Sequence, residues 1–348
     1  MFFEFCFPRC FSPLFSRIGC SAALVQLRNF GYNRGRERNM EDCMDTLIKT
    51  LVHQNFAPER IMPRAPLSNY TTFRVGGPAD VLVNVNSGKE IAIALRAAKD
   101  AGVPATIIGN GSNLLVRDGG IRGLVIRISG SMAEITHKGT TIHAQAGASI
   151  AAVANYAKAN GLAGMASIAG IPGTIGGAVI MNAGAYGGEM SQIVTRVDAV
   201  AIEGGKPVHF EGRKLGFGYR RSAMMDAGVI VTDVTLELTP GDSAEIAAKT
   251  QELLAARREK QPLEYPSAGS TFKRPEGYFA AKLIDDAGLR GLRIGDAQVS
   301  EKHAGFIVNL GHATAKDILE LMDEVAARVR AQFGVDLEPE VRILGEDA

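Results

Sequence analysis

Two glycine-rich stretches hold the residues best suited to chemistry. The first, Gly109-Asn110-Gly111-Ser112-Asn113-Leu114-Leu115, directly follows a short apolar run at 105–108. Two glycines let backbone approach a ligand closely, and successive N–H groups with a Ser hydroxyl and two Asn amides can cradle a diphosphate. Taken alone, a Gly-x-Gly turn reads first as the tip of a plain hairpin. Leu114 stands where a Rossmann loop has its third glycine, and no Gly-Lys-Ser/Thr follows as a P-loop requires. Ordinary NAD-binding and ATP-binding loops are therefore excluded here.

The second stretch is Gly170-Ile171-Pro172-Gly173-Thr174-Ile175-Gly176-Gly177, followed by Met181-Asn182-Ala183-Gly184-Ala185-Tyr186-Gly187-Gly188. From Gly161 to Gly188 there are nine glycines in 28 residues, yet Ile, Met and Val persist between them. A flexible linker would be polar, whereas small residues among apolar ones point to backbone packed against something large and flat. A pair of simple turns is the plainer alternative. Two such loops around an apolar segment suit a planar cofactor with a diphosphate tail. The candidate contacts are Gly109, Asn110, Gly111, Ser112, Asn113, Pro172, Gly173, Thr174, Gly176, Asn182, Gly184 and Ala185.

Alternating strand and helix signals must position these loops. Residues 79–85 read as a strand, and Ser87 with Glu90 as a capping box opening a helix to about residue 101. Strands are predicted at 105–108, 114–116, 123–128 and 141–146, and Ser149 caps a helix through 159. Further strands fall at 195–202, 207–210 and 229–238, before a long helix over 243–260. The last block reads as helix 280–287, strands 297–299 and 305–309, helix 315–333 between Thr314 and Gly334, and strand 340–343. At 348 residues the chain is too long for one comfortable core. The divisions are an extension at 1–44, two subdomains at 45–130 and 131–242, and a C-terminal α/β domain at 243–348.

A net charge of +1 supplies no long-range field toward nucleic acid or an anionic membrane. All four cysteines fall within the first 43 residues and the six histidines are scattered, so neither a disulfide framework nor a metal site is expected. That pattern fits a reducing cytoplasm. Residues 1–39 are rich in Phe, Cys and Arg, with only Glu4 and Glu37 as acids. They fit no globular pattern, and no apolar run reaches the length of a signal core or membrane helix. The expectation is a dispensable extension, either disordered or upstream of a true start at Met40 or Met44, with helical periodicity beginning near Asp45.

The blocks TTFRVGGPA (71–79), GNGSNLL (109–115), GIPGTIGGAVIMNAGAYGGE (170–189), GYRRS (218–222), SAGSTFKRP (267–275) and LEPEVRILG (337–345) occur in the order seen in one family. The chain resembles the UDP-N-acetylenolpyruvoylglucosamine reductases. The resemblance implies an α/β (α+β) protein: an FAD-binding fold of the vanillyl-alcohol-oxidase (PCMH) type in two subdomains, with a C-terminal α/β domain that binds substrate. It also implies non-covalent FAD, NADPH as hydride source, and UDP-N-acetylglucosamine enolpyruvate as substrate. The product, UDP-N-acetylmuramate, is a peptidoglycan precursor on which cell-wall biogenesis, cell shape and division depend. A cytoplasmic enzyme follows; its oligomeric state is left open, a monomer being compatible with the sequence. The short passage from Gly188 to Thr195 matches the compact branch, which lacks an inserted tyrosine-bearing loop. Ala166 and Arg221 depart from the residues common at their positions.

By the same resemblance Arg220, Ser270 and Glu340 are catalytic, and Tyr219, Lys260 and Arg274 bind substrate. A cation stabilises the negative charge that hydride addition builds on an enolpyruvyl group, and a neutral hydroxyl can quench it. Lys260, Lys273 and Arg274 form a basic set suited to a diphosphate. Out of family context, Ser270 reads as a turn residue, Arg220 as a surface charge, Glu340 as a strand-edge charge and Lys260 as a helix-dipole partner. Two rival functions share the flavin fold: a sugar or lactone oxidase, and a silent flavin-binding protein. The serine loop and PEVR strand favour the reductase, and a silent protein would be expected to lose Ser270, Arg220 or Glu340.

Overall fold

The computed structural model describes residues 39–348, so the extension expected at the N-terminus lies almost wholly outside the described residues. Helix α1 spans Met40–His53, beginning five residues before the expected periodicity, with the Asn39 side chain accepting from Glu41 N–H. It packs through Leu47 and Leu51, both fully buried.

The first lobe is a four-stranded sheet in the order Ile61–Pro63, Ala79–Asn84, Ile121–Arg127, Ala105–Ile108. Its first pair is antiparallel and the other two are parallel. Helix α2, Gly88–Ala101, makes the crossover that parallel pairing requires. Ser87 Oγ accepts from Glu90 N–H at 3.2 Å, and Gly102 closes the helix at φ 72°. Val81, Leu82 and Val83 are all buried, the continuous apolar run of a strand covered on both faces.

The second lobe is an antiparallel five-stranded sheet: Pro207–Glu211, Val194–Ala201, Val229–Glu237, Thr141–Gln145, Ile135–Lys138. Helix α3, Ile150–Ala159, and the short helix α4, Ile175–Ile180, pack beside it. In sequence α4 shows only as an apolar segment between loops; Thr174 caps it, accepting from Gly177 N–H at 3.3 Å. Buried residues from Leu47 to Leu238 form one continuous core across both lobes. Helix α5, Ser243–Lys260, is polar around its circumference, buries only Thr250, and lies against α3 and the strand Leu162–Ala163.

Helices α6, Ala280–Asp286, and α7, Ala315–Phe333, cover the C-terminal sheet of Arg293–Ile294, Ala297–Val299 and Ile307–Asn309. Thr314 and Asp317 form the capping box of α7, and Gly334 ends it at φ 68°. Phe73, Val75 and Leu115 of the first lobe enter this core. Asp118, also from the first lobe, accepts from Ala315 and Lys316 N–H at 2.9 Å each. The last strand, Arg342–Leu344, pairs in parallel with Leu114–Val116, immediately after the first glycine loop. The sequence pattern predicts it at 340–343. The shift places Glu340 just before the strand, facing the cleft, because pairing to a remote partner sets its register.

Candidate active site

A cavity of about 990 Å³ opens between the two lobes and the C-terminal domain, at the upper end of the size of ligand sites. Every candidate cofactor contact except Asn182 lies on its wall. The two glycine motifs meet there. A Cβ at Gly109 would sit 2.8 Å from Thr174 Oγ1, and one at Gly111, whose φ is 63°, would sit 2.1 Å from the Tyr70 carbonyl oxygen. Neither position has room for a side chain, and Gly111 also needs the left-handed conformation.

The cavity fits a large molecule with polar and apolar parts. Arg127 Nε, Thr72 Oγ1 and Gln261 Oε1 are buried without a protein partner, and all three residues line it. Such atoms call for a ligand or water. Arg127 lies 5.1 Å over the Tyr70 ring, and burial lowers its pKa. No His or Cys is among the lining residues, so neither usual side chain is placed to bond covalently to a flavin. FAD matches this wall: glycine backbone for the diphosphate, apolar surface for the ring system.

At the other end, Arg220 Nε donates to Glu340 Oε1 at 2.6 Å, with the side chains 20% and 14% exposed. Gly218 and Arg221 exchange backbone hydrogen bonds of 3.0 and 3.2 Å, leaving Tyr219 and Arg220 as the two central residues of a tight turn. Arg220 has φ 54° there, a conformation costly for a residue with a Cβ. Desolvation raises the Glu340 pKa above the ordinary carboxylate value, against the lowering effect of Arg220. Ser270 is exposed on the same wall, after Gly269 at φ 78°. Backbone bonds from Glu340 N–H to Thr271 O and from Lys273 N–H to Glu338 O, both 2.8 Å, lay the serine loop beside the PEVR segment.

Other candidates lie elsewhere. Asn182 is turned away from the cavity, being 1% exposed, donating to Gly218 O at 3.0 Å and accepting from Ser191 N–H at 2.9 Å. It anchors the Arg220 turn. Lys260 is exposed at the end of α5 and does not line the cavity; Arg257 and Arg258, one turn earlier, do. Arg257 packs on Gly170, and burial lowers its pKa. The basic periodicity of α5 is visible in sequence, but not the face turned inward. Lys273 is ion-paired with Glu338. Tyr219 and Arg274 share a smaller depression of about 470 Å³, where Arg274 N–H donates to Tyr219 Oη at 3.1 Å and the guanidinium lies 3.7 Å over the Phe279 ring. Arg221 is 67% exposed and paired with Asp226. Among the described residues no group of three or more His, Cys, Asp or Glu is arranged to hold a metal.

Residues 79–211 match the FAD binding domain family, which with this cavity defines an FAD-dependent oxidoreductase. Residues 261–344 match the UDP-N-acetylenolpyruvoylglucosamine reductase C-terminal domain. The reductase of that name from Clostridium tetani is 46% identical, over 88% of this chain and 98% of its own length. The one from Pediococcus pentosaceus is 48% identical, over 84% of this chain and 97% of its own length. The crystal structure of UDP-N-acetylenolpyruvylglucosamine reductase from Thermus caldophilus superposes with a TM-score of 0.70 at 39% identity, covering 82% of this chain and 98% of that one. The chain belongs to the UDP-N-acetylenolpyruvoylglucosamine reductase family.

Proposed function

We propose that Arg220, Ser270 and Glu340 are the catalytic set of this reductase, and that Tyr219, Arg274 and the cavity-lining Arg257 and Arg258 receive the sugar nucleotide. As a family member, the enzyme reduces UDP-N-acetylglucosamine enolpyruvate to UDP-N-acetylmuramate with FAD and NADPH. The glycine loops at 109–113 and 170–185 would hold FAD, which when bound would supply the hydride drawn from NADPH. The chain's own residues manage the charge and the proton. Hydride addition at C3 of the enolpyruvyl group leaves negative charge on C2 and its carboxylate, which Arg220 stabilises. Ser270 then donates its hydroxyl proton to C2, completing the CH–CH3 unit. A serine hydroxyl is a weak acid, but an enolate carbon is basic enough to take its proton. Glu340 orients Arg220 and shares the proton inventory of the site.

The observation carrying this reading is the Arg220–Glu340 pair at 2.6 Å on the wall that also presents Ser270. Its test is whether Ser270→Ala slows substrate reduction while sparing flavin reduction. Residues 45–130 and 131–242 serve as the FAD-binding subdomains and 243–348 as the substrate-binding domain. Within the last, α5 is a connector, since it packs on the second lobe. We place the enzyme in the cytoplasm, in contact with neither membrane nor nucleic acid, since a net charge of +1 supplies no long-range field toward either. Among the described residues no helix is long and apolar enough to cross a membrane.

A further inference from the structure

Asn113 ends the first glycine loop, where its amide was expected to serve the cofactor. Its side-chain Nδ2 instead donates to the Glu340 carbonyl oxygen at 3.1 Å, across 227 residues of sequence. Its own carbonyl accepts from Arg342 N–H at 2.9 Å, so Asn113 grips the chain on both sides of Val341. Parallel pairing of Leu114 with Arg342 continues directly from this grip. On its other flank, Glu340 N–H donates to Thr271 O at 2.8 Å, next to Ser270. The backbone of Glu340 is thereby fixed from two directions, by the cofactor loop and by the serine loop.

We propose that Asn113 is a positioning residue: its amide sets where the Glu340 carboxylate, and through it the Arg220 guanidinium, stands relative to the bound cofactor. The proposal rests on the catalytic reading of Glu340 and Arg220 given above. The physical reason is leverage. Glu340 precedes the paired strand, so strand pairing alone leaves its main chain free to pivot; the Thr271 bond holds its N–H, and the Asn113 side chain holds its carbonyl. A misplacement of about 1 Å at a reacting centre can cost about 10²-fold in rate. A cofactor ligand would act differently, since its loss weakens FAD binding and both half-reactions together.

The test uses the FAD-loaded enzyme with Asn113→Ala and the near-isosteric Asn113→Asp, which keeps the volume but removes the N–H donor. FAD content, FAD dissociation and the flavin spectrum are measured, then each half-reaction by anaerobic stopped-flow across pH. We expect normal FAD retention, flavin reduction by NADPH within about 2-fold of wild type, and reoxidation by substrate slowed about 10- to 100-fold in both variants. A displaced pH profile of the substrate step is also expected, because the surroundings of the Glu340 carboxylate change. Weakened FAD binding, equal slowing of both steps, or a wild-type Asn113→Asp would each overturn the proposal. Ser270→Ala in parallel separates the two levels. If it too fails to distinguish the half-reactions, the catalytic reading falls; if it distinguishes them and the Asn113 variants do not, only this inference falls.

Discussion

Arg220 reaches Glu340 across 120 residues of sequence, Nε to Oε1 at 2.6 Å, from a backbone held at φ 54° on the tip of a two-residue turn. The turn is secured by Asn182, and Ser222 Oγ, fully buried, donates to Ile180 O at 2.9 Å just beyond it. Such a conformation costs on the order of 1 kcal/mol and persists where surrounding structure over-determines it. Arg220 is aimed by its main chain as well as by its partner, which is how a guanidinium is pre-organised toward developing charge.

Ser270→Ala should separate the half-reactions. NADPH should still bleach the flavin at a near-normal rate, while reoxidation by the enolpyruvyl substrate slows about 10²- to 10⁴-fold, the usual contribution of general-acid catalysis. Substrate affinity should barely change. Arg220→Met should lower both the substrate step and substrate affinity, since the proposed role has the cation meet ground-state carboxylate and developing enolate alike. Equal slowing of both half-reactions by Ser270→Ala would return the serine to a turn residue.

The raised pKa of Glu340 has a definite sign in stability. Between the ordinary glutamate value and its own, the folded protein holds a proton that the unfolded chain has released. The contribution is therefore complete below the ordinary value and is lost as pH rises through the folded one. Glu340→Gln should flatten that decline in thermal melts as pH rises above the ordinary glutamate range, while slowing the substrate step. A wild-type slope in the variant would assign the decline to other groups.

Arg257 brings a desolvated guanidinium to the cavity wall. A cation kept from water is costly unless an anion joins it, so Arg257→Met should weaken binding of an anionic ligand about 10-fold or more, with little loss of melting temperature. Titrating FAD, NADPH and a uridine diphosphate separately identifies which one it holds. Unchanged affinity for all three would leave Arg257 a packing residue against Gly170.

Denaturation should release the flavin intact, with an unbleached free-FAD spectrum in the supernatant, because the lining offers no His or Cys for a covalent bond. Gly111→Ala should give a protein that folds poorly or binds FAD weakly. Its Cβ would collide with the Tyr70 carbonyl at 2.1 Å in a left-handed conformation. A yellow pellet retaining its colour, or a Gly111→Ala variant with wild-type FAD affinity, would contradict these two expectations.

The sequence by itself determined whatever depends on neighbours in the chain. Ser87, Ser149, Thr314 and Gly334 marked their helix ends because a cap is a contact over three or four residues. The two glycine motifs were legible because a close backbone approach demands glycine locally, whatever packs there. The short strands Ile61–Pro63, Ile135–Lys138 and Arg293–Ile294 escaped, since two to four residues carry no period and gain their structure from a partner strand. The site was legible only as separate blocks. That Arg257 rather than Lys260 faces the cavity depends on how α5 is seated against the second lobe, a rotation that helical spacing leaves open. That Asn182 anchors a turn depends on how that turn packs against the end of α4, and that Asn113 grips Glu340 from 227 residues away depends on a register between strands far apart in sequence. Tertiary structure decided both, because burial and pairing energies act on positions in space, and chain order alone does not encode which distant backbone will be the neighbour.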